Sequence, residues 1–205
     1  MNTKGRIARE ALTLFSEKGY NGTTVKNIAE AVGIRDSSLY KHYKSKQDIL
    51  DSIMAEIGKR MDEMSADFGL PAGDYSKETA DFYEDVTEER LVDFSRKIFM
   101  FYLKDDLLSK FWRMGASEQF RSGQVSFMFR KFFYEDSIKY QTALFAEMVN
   151  RKIFIEADPE MVAVKFYAPV FFLLSKYSGC SRAKEKEALA VLEKQVREFY
   201  RVYKA

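Results

Sequence analysis

The fold is decided by two adjacent stretches near the start of the chain, residues 23–34 (TTVKNIAEAVGI) and residues 38–46 (SLYKHYKSK). In the first stretch, Ile28 and Val32 recur at the spacing of one helical face, and Gly33 provides a helix end. A second helical pattern follows after only a few residues. Two helices joined by a three- or four-residue turn that contains glycine are typical of a helix-turn-helix.

The rest of the chain also has a helical pattern. Apolar residues recur at helical spacing, the sequence contains only three prolines, and alternating runs of β-branched residues are nearly absent. We therefore predict an all-α fold. The sequence predicts helices over residues 3–18, 24–31 and 36–43, a longer helix from residue 46, and two final helices over 159–177 and 184–203.

Several boundaries between helices carry specific signals. Gly19 has the position of a C-cap, and Asp158 is a good N-cap because a proline follows it. Glycine and proline make residues 68–76 the clearest loop, and a second irregular stretch, residues 178–182, separates the last two helices.

The composition excludes several classes of protein. A single cysteine cannot form an internal disulfide, and one cysteine with one histidine cannot supply a typical zinc site, so only carboxylate-type metal sites stay open. The longest apolar stretch, residues 161–174, is interrupted by Lys165, and no uninterrupted apolar segment follows the charged N-terminus. We therefore expect a soluble, cytoplasmic protein without a membrane partner, and we assign no metal ligand and no cofactor.

The net charge of +2 conceals an uneven distribution of charge along the chain. Residues 1–47 contain nine basic and four acidic residues, residues 48–95 contain four basic and 14 acidic residues, and residues 96–205 contain 20 basic and 13 acidic residues. A compact basic segment at the start suits a module that binds a polyanion. The alternative is a solvated helical face that is rich in lysine.

The two opening stretches resemble the DNA-binding domain of the TetR family of bacterial transcriptional regulators. The two stretches are preceded by residues that match the first helix of that family and the turn after it: Ile7, Ala11, Leu14, Phe15, Gly19 and Tyr20. The resemblance covers roughly residues 4–50. It implies a three-helix DNA-binding head at residues 1–47, with the motif at about 24–43, and a larger helical domain at residues 48–205 that binds an effector and dimerises.

The resemblance also implies roles for individual residues in the head. It places the third helix in the major groove of double-stranded DNA, with Arg35, Ser37, Ser38 and Lys41 near the base edges. Contacts to phosphates would come from Thr24, Tyr40, His42 and Lys46. The alternatives are that the lysines only make the surface soluble and that the single histidine packs or bonds locally. One departure from the family is Arg35, which stands where a serine or threonine usually caps the third helix.

For the rest of the chain the resemblance implies a homodimer and an effector pocket. The last two helices would form the interface between two copies, with Val162, Val170, Leu173, Leu192, Val196 and Phe199 as candidates; the alternative is a hairpin within one chain. An aromatic-rich middle region could line an apolar pocket, although most of its residues must be core. Our pocket candidates come from separate helices: Phe101, Trp112, Met128 and Phe166.

These features predict a ligand-responsive, dimeric regulator that binds DNA. Most members of the family are repressors, so we expect release from a palindromic operator when a hydrophobic or aromatic small molecule binds. The alternative is an architectural or cell-division control factor that uses the same head without a small molecule. An enzyme is disfavoured because the sequence has no glycine-rich phosphate loop, no nucleophile elbow and no catalytic residues that we can assign.

Overall fold

The structure is a computed structural model that describes residues 2–69, 86–121 and 123–205. Within these ranges it contains helices, turns and one isolated antiparallel bridge between Phe154 and Lys204. The predicted all-α fold is therefore confirmed. The α-helices are α1 (Thr3–Lys18), α2 (Val25–Val32), α3 (Asp36–Leu39), α4 (Lys46–Asp67), α5 (Glu88–Lys104), α6 (Asp106–Glu118), α7 (Gly123–Arg130), α8 (Ser137–Asn150), α9 (Pro159–Tyr177) and α10 (Arg182–Tyr203).

The chain divides into two compact units. The first consists of Met1–Met61 and Asp106–Lys131, and the second consists of Asp62–Asp105 and Phe132–Ala205. The domain boundary between residues 47 and 48 stays a prediction. Among the described residues, no helix combines the length and the apolarity that crossing a membrane requires.

In the first unit, glycine ends the first two helices. Gly19 follows α1 with a φ of 79°, and its N–H donates to the carbonyl oxygen of Phe15 at 3.1 Å. Gly33 follows α2 in the left-handed conformation, with a φ of 77° and a ψ of 34°. Both glycines have a positive φ, which glycine adopts without the steric cost of a side chain. The ends of α1 and α2 therefore depend on glycine at these two positions.

The third helix is shorter than the sequence predicts. It ends at Leu39 instead of continuing to Tyr43. The N–H groups of Lys41 and His42 donate to carbonyl oxygens three residues earlier, at 3.3 and 2.9 Å, so the chain tightens into a turn after one helical turn. At the start of this helix, Arg35 provides no side-chain cap.

In the second unit, the predicted ends of the last two helices are largely correct. Helix α9 covers the predicted range, and Asp158 caps it by accepting a hydrogen bond from the N–H of Glu160 at 3.0 Å. Helix α10 begins at Arg182, two residues earlier than predicted. The predicted loop at residues 68–76 lies outside the described residues beyond residue 69.

The core of the second unit is aromatic. Phe145 of α8 is fully buried, and its ring lies 5.8 Å from that of Phe154, 5.4 Å from that of Phe166 and 5.5 Å from that of Phe199. These rings join α8, α9 and α10 around one centre. A π-helical turn, Lys131–Asp136, precedes α8, and the sequence pattern did not predict it.

Candidate DNA-binding site

The start of α2 is closed by a reciprocal pair of hydrogen bonds. The hydroxyl oxygen of Thr24 accepts from the N–H of Asn27 at 3.1 Å, and the side-chain oxygen of Asn27 accepts from the N–H of Thr24 at 3.0 Å. This is a capping box, which satisfies two of the N–H groups that a helix start leaves open. Thr24 therefore caps α2. The same bonds occupy its N–H, so the predicted phosphate contact requires the Asn27 side chain to turn away.

The predicted contact residues between Arg35 and His42 form a largely exposed row. Arg35, Ser37, Lys41 and His42 are exposed, Ser38 is half-buried, and Tyr40 is 55% exposed despite its aromatic ring. These side chains cover α3 and the turn that follows it. The arrangement presents cationic, hydroxyl and ring N–H groups, the types of group that contact bases and phosphates.

Behind this row lies the small core of the head. Leu39 and Tyr43 are buried, and the Tyr43 hydroxyl lies 3.2 Å from the carbonyl oxygen of Lys4 and 3.1 Å from the Ser52 hydroxyl. Burial raises the pKa of Tyr43 above its usual value. The guanidinium of Arg6 donates to the carbonyl oxygen of Val32 at 3.0 Å and so satisfies the end of α2.

Lys46 does not extend into solvent. Its ammonium donates to the carbonyl oxygens of Tyr20 at 2.8 Å and Thr23 at 3.0 Å, and it lies 4.3 Å from the centre of the Tyr20 ring. Burial lowers the pKa of Lys46, and the negative charge of Glu118 opposes this shift. Because two of its three N–H donors are used inside the head, this arrangement does not support the predicted phosphate contact.

The candidates for the effector pocket are divided between the two compact units, and their role stays a prediction. Trp112 and Met128 belong to the first unit, where the Trp112 ring packs 5.5 Å from the ring of Phe129. Phe101 and Phe166 belong to the second unit. Phe166 is part of the aromatic core around Phe145, so its ring has a packing role in this structure.

The structure corrects the choice of residues for the dimer interface. Five of the six candidates are buried within a single chain: Val162, Leu173, Leu192, Val196 and Phe199. Their side chains pack inside the second unit and cannot reach a second copy. Only Val170 is half-buried. The same two helices carry other apolar side chains that are exposed: Met161, Val164, Phe172, Val191 and Val202.

The sequence did not lead us to two residues that form hydrogen bonds with the head, Asn27 of α2 and Glu118 of α6. Asn27 follows Thr24 at the spacing of a capping box, so the sequence contained a signal for it. Glu118 of α6 accepts a hydrogen bond from the side-chain amide of Asn21 at 3.4 Å, although 97 residues separate them. No local pattern could have indicated this contact.

Comparisons with known proteins connect this geometry to a family. Residues 7–53 match the family described as bacterial regulatory proteins, tetR family. The biofilm operon icaADBC HTH-type negative transcriptional regulator IcaR of Staphylococcus epidermidis is 52% identical over 46 residues, which cover 22% of this chain and 25% of IcaR. The chain thus matches only about a quarter of the length of this relative.

Solved structures extend the similarity of fold to the whole chain. A regulator from Mesorhizobium loti assigned to the TetR family has a TM-score of 0.73 at 19% identity, covering 99% of this chain and 97% of that one. The SmeT–triclosan complex has a TM-score of 0.71 at 18% identity, covering 100% and 93%. The head therefore matches the tetR family of bacterial regulatory proteins over residues 7–53, and the whole chain shares the fold of these solved structures.

Proposed function

We propose that this protein is a transcriptional repressor that binds a specific DNA operator as a homodimer and is released by a hydrophobic small molecule. The observation that carries the proposal is the exposed row Arg35–His42 on a head whose sequence matches the family's DNA-binding domain. IcaR, which shares half of the residues of this head where the two align, is a negative transcriptional regulator, and this supports repression.

The experiment that tests the proposal is selection of bound fragments from the DNA of the organism that supplies the gene. We expect a common, palindromic sequence among the fragments, because a twofold dimer presents two identical heads. Gel-shift titration of that sequence against a scrambled duplex then measures specificity. Equal affinity for the two duplexes at physiological salt would contradict the proposal.

Lys41→Ala is expected to weaken binding to the selected operator about tenfold and to relax the preference at one base pair. Its side chain is exposed in the turn after α3, and a good contact to a base edge contributes about 1–3 kcal/mol of discrimination. Affinities for duplexes with each base pair changed in turn measure the effect.

The matched control for this variant is Lys194→Ala, which removes the same charge from an exposed position on α10. We expect it to keep the base preference. If both variants lose affinity equally for every duplex, Lys41 acts only through its charge and does not read bases.

The surface for a second copy is the exposed apolar face of α9. Met161, Val164, Ala168 and Phe172 follow one another at intervals of three or four residues, and all four are exposed. This spacing places them on one side of the helix. A contiguous apolar stripe of this kind on a protein surface is typical of an interaction site.

Phe172→Glu is expected to convert the dimer into a monomer. Phe172 is 61% exposed in the single chain, and a carboxylate within an apolar interface would lose its hydration without gaining a partner. Light scattering coupled to size-exclusion chromatography measures the mass. Phe127→Glu, the same change at a phenylalanine of α7 that is 60% exposed, is the control, and a dimeric Phe172→Glu protein would contradict this interface.

The effector in this proposal is a hydrophobic or aromatic small molecule. SmeT, which shares the fold, is solved in complex with triclosan, a chlorinated aromatic compound. Phe101 and Phe166 of the second unit are half-buried aromatic residues that a similar ligand could contact. Thermal shifts with a panel of apolar and aromatic compounds test this, since a ligand that binds the native state stabilises it. DNA binding without any stabilising compound would favour the architectural alternative.

A further inference from the structure

The turn between α1 and α2, residues 19–23, is held by a lysine that lies outside it. Lys46, the first residue of α4, donates to the carbonyl oxygens of Tyr20 and Thr23. Its ammonium also lies over the Tyr20 ring, a favourable position for a cation. These contacts fix the turn against the start of α4.

A glutamate from α6 reaches the same turn. The Glu118 carboxylate accepts from the Asn21 amide, and its second oxygen occupies the space that a Cβ atom at residue 19 would need. Gly19 permits this close approach because it has no side chain. The turn therefore has a cation bound to its carbonyl groups and a carboxylate packed against its first residues.

Burial of the Glu118 carboxylate is energetically unfavourable for the fold. It is only 3% exposed, and among the described residues its carboxylate has one long hydrogen bond. Removing a carboxylate from water costs several kcal/mol unless other charges and hydrogen bonds compensate. Lys46 is the cation whose pKa responds to Glu118, so the two charges interact. A neutral residue would fill this position at lower cost, which points to a role beyond stability.

The turn leads directly into the DNA-contacting end of α2. The hydroxyl of Thr23, which is fully buried, donates to the carbonyl oxygen of Gly19 at 2.9 Å and so closes the turn on itself. The next residue, Thr24, caps α2. Any displacement of the turn therefore moves the capping residue and the first N–H groups of the helix.

We propose that Glu118 and Lys46 are positioning residues for DNA binding, which hold the turn of residues 19–23 and thereby set the position of Thr24 and the start of α2. This inference rests on the proposed DNA-binding function. It assigns to α6, far from the head in sequence, direct control over the geometry of the head.

The decisive variant is Glu118→Gln, because the two explanations predict opposite signs. Removing a negative charge from a DNA-binding protein raises its affinity for phosphates when only the overall field matters. If Glu118 positions the turn, the affinity for the selected operator instead falls, by about fivefold or more. Glu17→Gln is the control: this exposed residue of α1 carries the same charge in the same unit, and its loss should leave the affinity unchanged or raise it slightly.

A double-mutant cycle tests whether the two residues act together. Lys46→Gln alone should also weaken binding, because the carbonyl groups of the turn lose their donor. In Lys46→Gln/Glu118→Gln, the favourable interaction between the two charges is already absent, so the combined loss should be smaller than the product of the single losses. Circular dichroism confirms that each variant is folded, and Glu118→Asp replaces Glu118→Gln if the latter does not fold.

Hydrogen exchange provides a readout that does not depend on DNA. We expect faster exchange of the N–H groups of residues 19–24 in Glu118→Gln, with unchanged exchange in the second unit. Wild-type affinity or tighter binding in this variant, or losses that simply multiply in the double variant, would overturn the inference. If the wild-type protein selects no DNA sequence, the proposed function fails, whereas unchanged exchange in the turn refutes the positioning role by itself.

Discussion

Phe145→Ala is expected to lower the free energy of unfolding of the second compact unit by about 3–5 kcal/mol, as large-to-small changes of buried phenylalanines do. The side chain is fully buried, and the rings of Phe154, Phe166 and Phe199 surround it within 6 Å. Removing it leaves a cavity among three helices that cannot collapse fully. Urea denaturation followed by circular dichroism measures the loss.

The control for this variant is Phe120→Ala. Phe120 is 92% exposed, so its removal should change the stability by no more than about 0.5 kcal/mol. Trp112, the single tryptophan, lies in the first unit and reports on that unit by fluorescence. A loss below about 1 kcal/mol for Phe145→Ala would mean that the aromatic cluster is not the core of the second unit.

Gly19→Ala is expected to destabilise the first unit and to weaken DNA binding together. The φ of this position is 79°, and a residue with a side chain adopts such an angle at a strain energy of about 1–3 kcal/mol. The new methyl group would also overlap the Glu118 carboxylate and push apart α6 and the turn. Fluorescence of Trp112 during urea denaturation measures the stability, and gel-shift titration measures the affinity.

Gly58→Ala provides the matched comparison. Gly58 lies within α4, and the position that a Cβ atom would take there is open space, so alanine should stabilise the helix by about 0.5–1 kcal/mol. The two substitutions are chemically identical and should have opposite signs. Equal effects at both positions would show that neither the backbone angle nor the contact with Glu118 matters at residue 19.

Local signals in the sequence were sufficient where a helix end is determined by its own residues. Asp158 followed by proline, and Gly19 after a run of apolar positions, placed the start of α9 and the end of α1 correctly. A cap is formed by residues three or four positions apart, so a single chain segment contains all the information.

Features that depend on distant partners were not predictable in this way. The apolar stripes of the last two helices predict that residues such as Leu192 are buried. The stripes do not indicate whether a neighbouring helix of the same chain or a second copy covers these residues. The same holds for Lys46, whose partners come from the α1–α2 turn. Glu118 reaches that turn from another part of the chain, and only the tertiary structure reveals the contact.

The contacts of Arg6 and Lys46 change how the basic charge of the head should be counted. Both cations satisfy backbone carbonyl oxygens inside the head, at Val32 for Arg6 and at Tyr20 and Thr23 for Lys46. These bonds use one donor of Arg6 and two donors of Lys46, so those donors are not available to DNA phosphates. The dependence of affinity on salt concentration should reflect fewer phosphate contacts than the nine basic residues of this segment suggest, and correspondingly more of the binding free energy must come from contacts that salt does not screen.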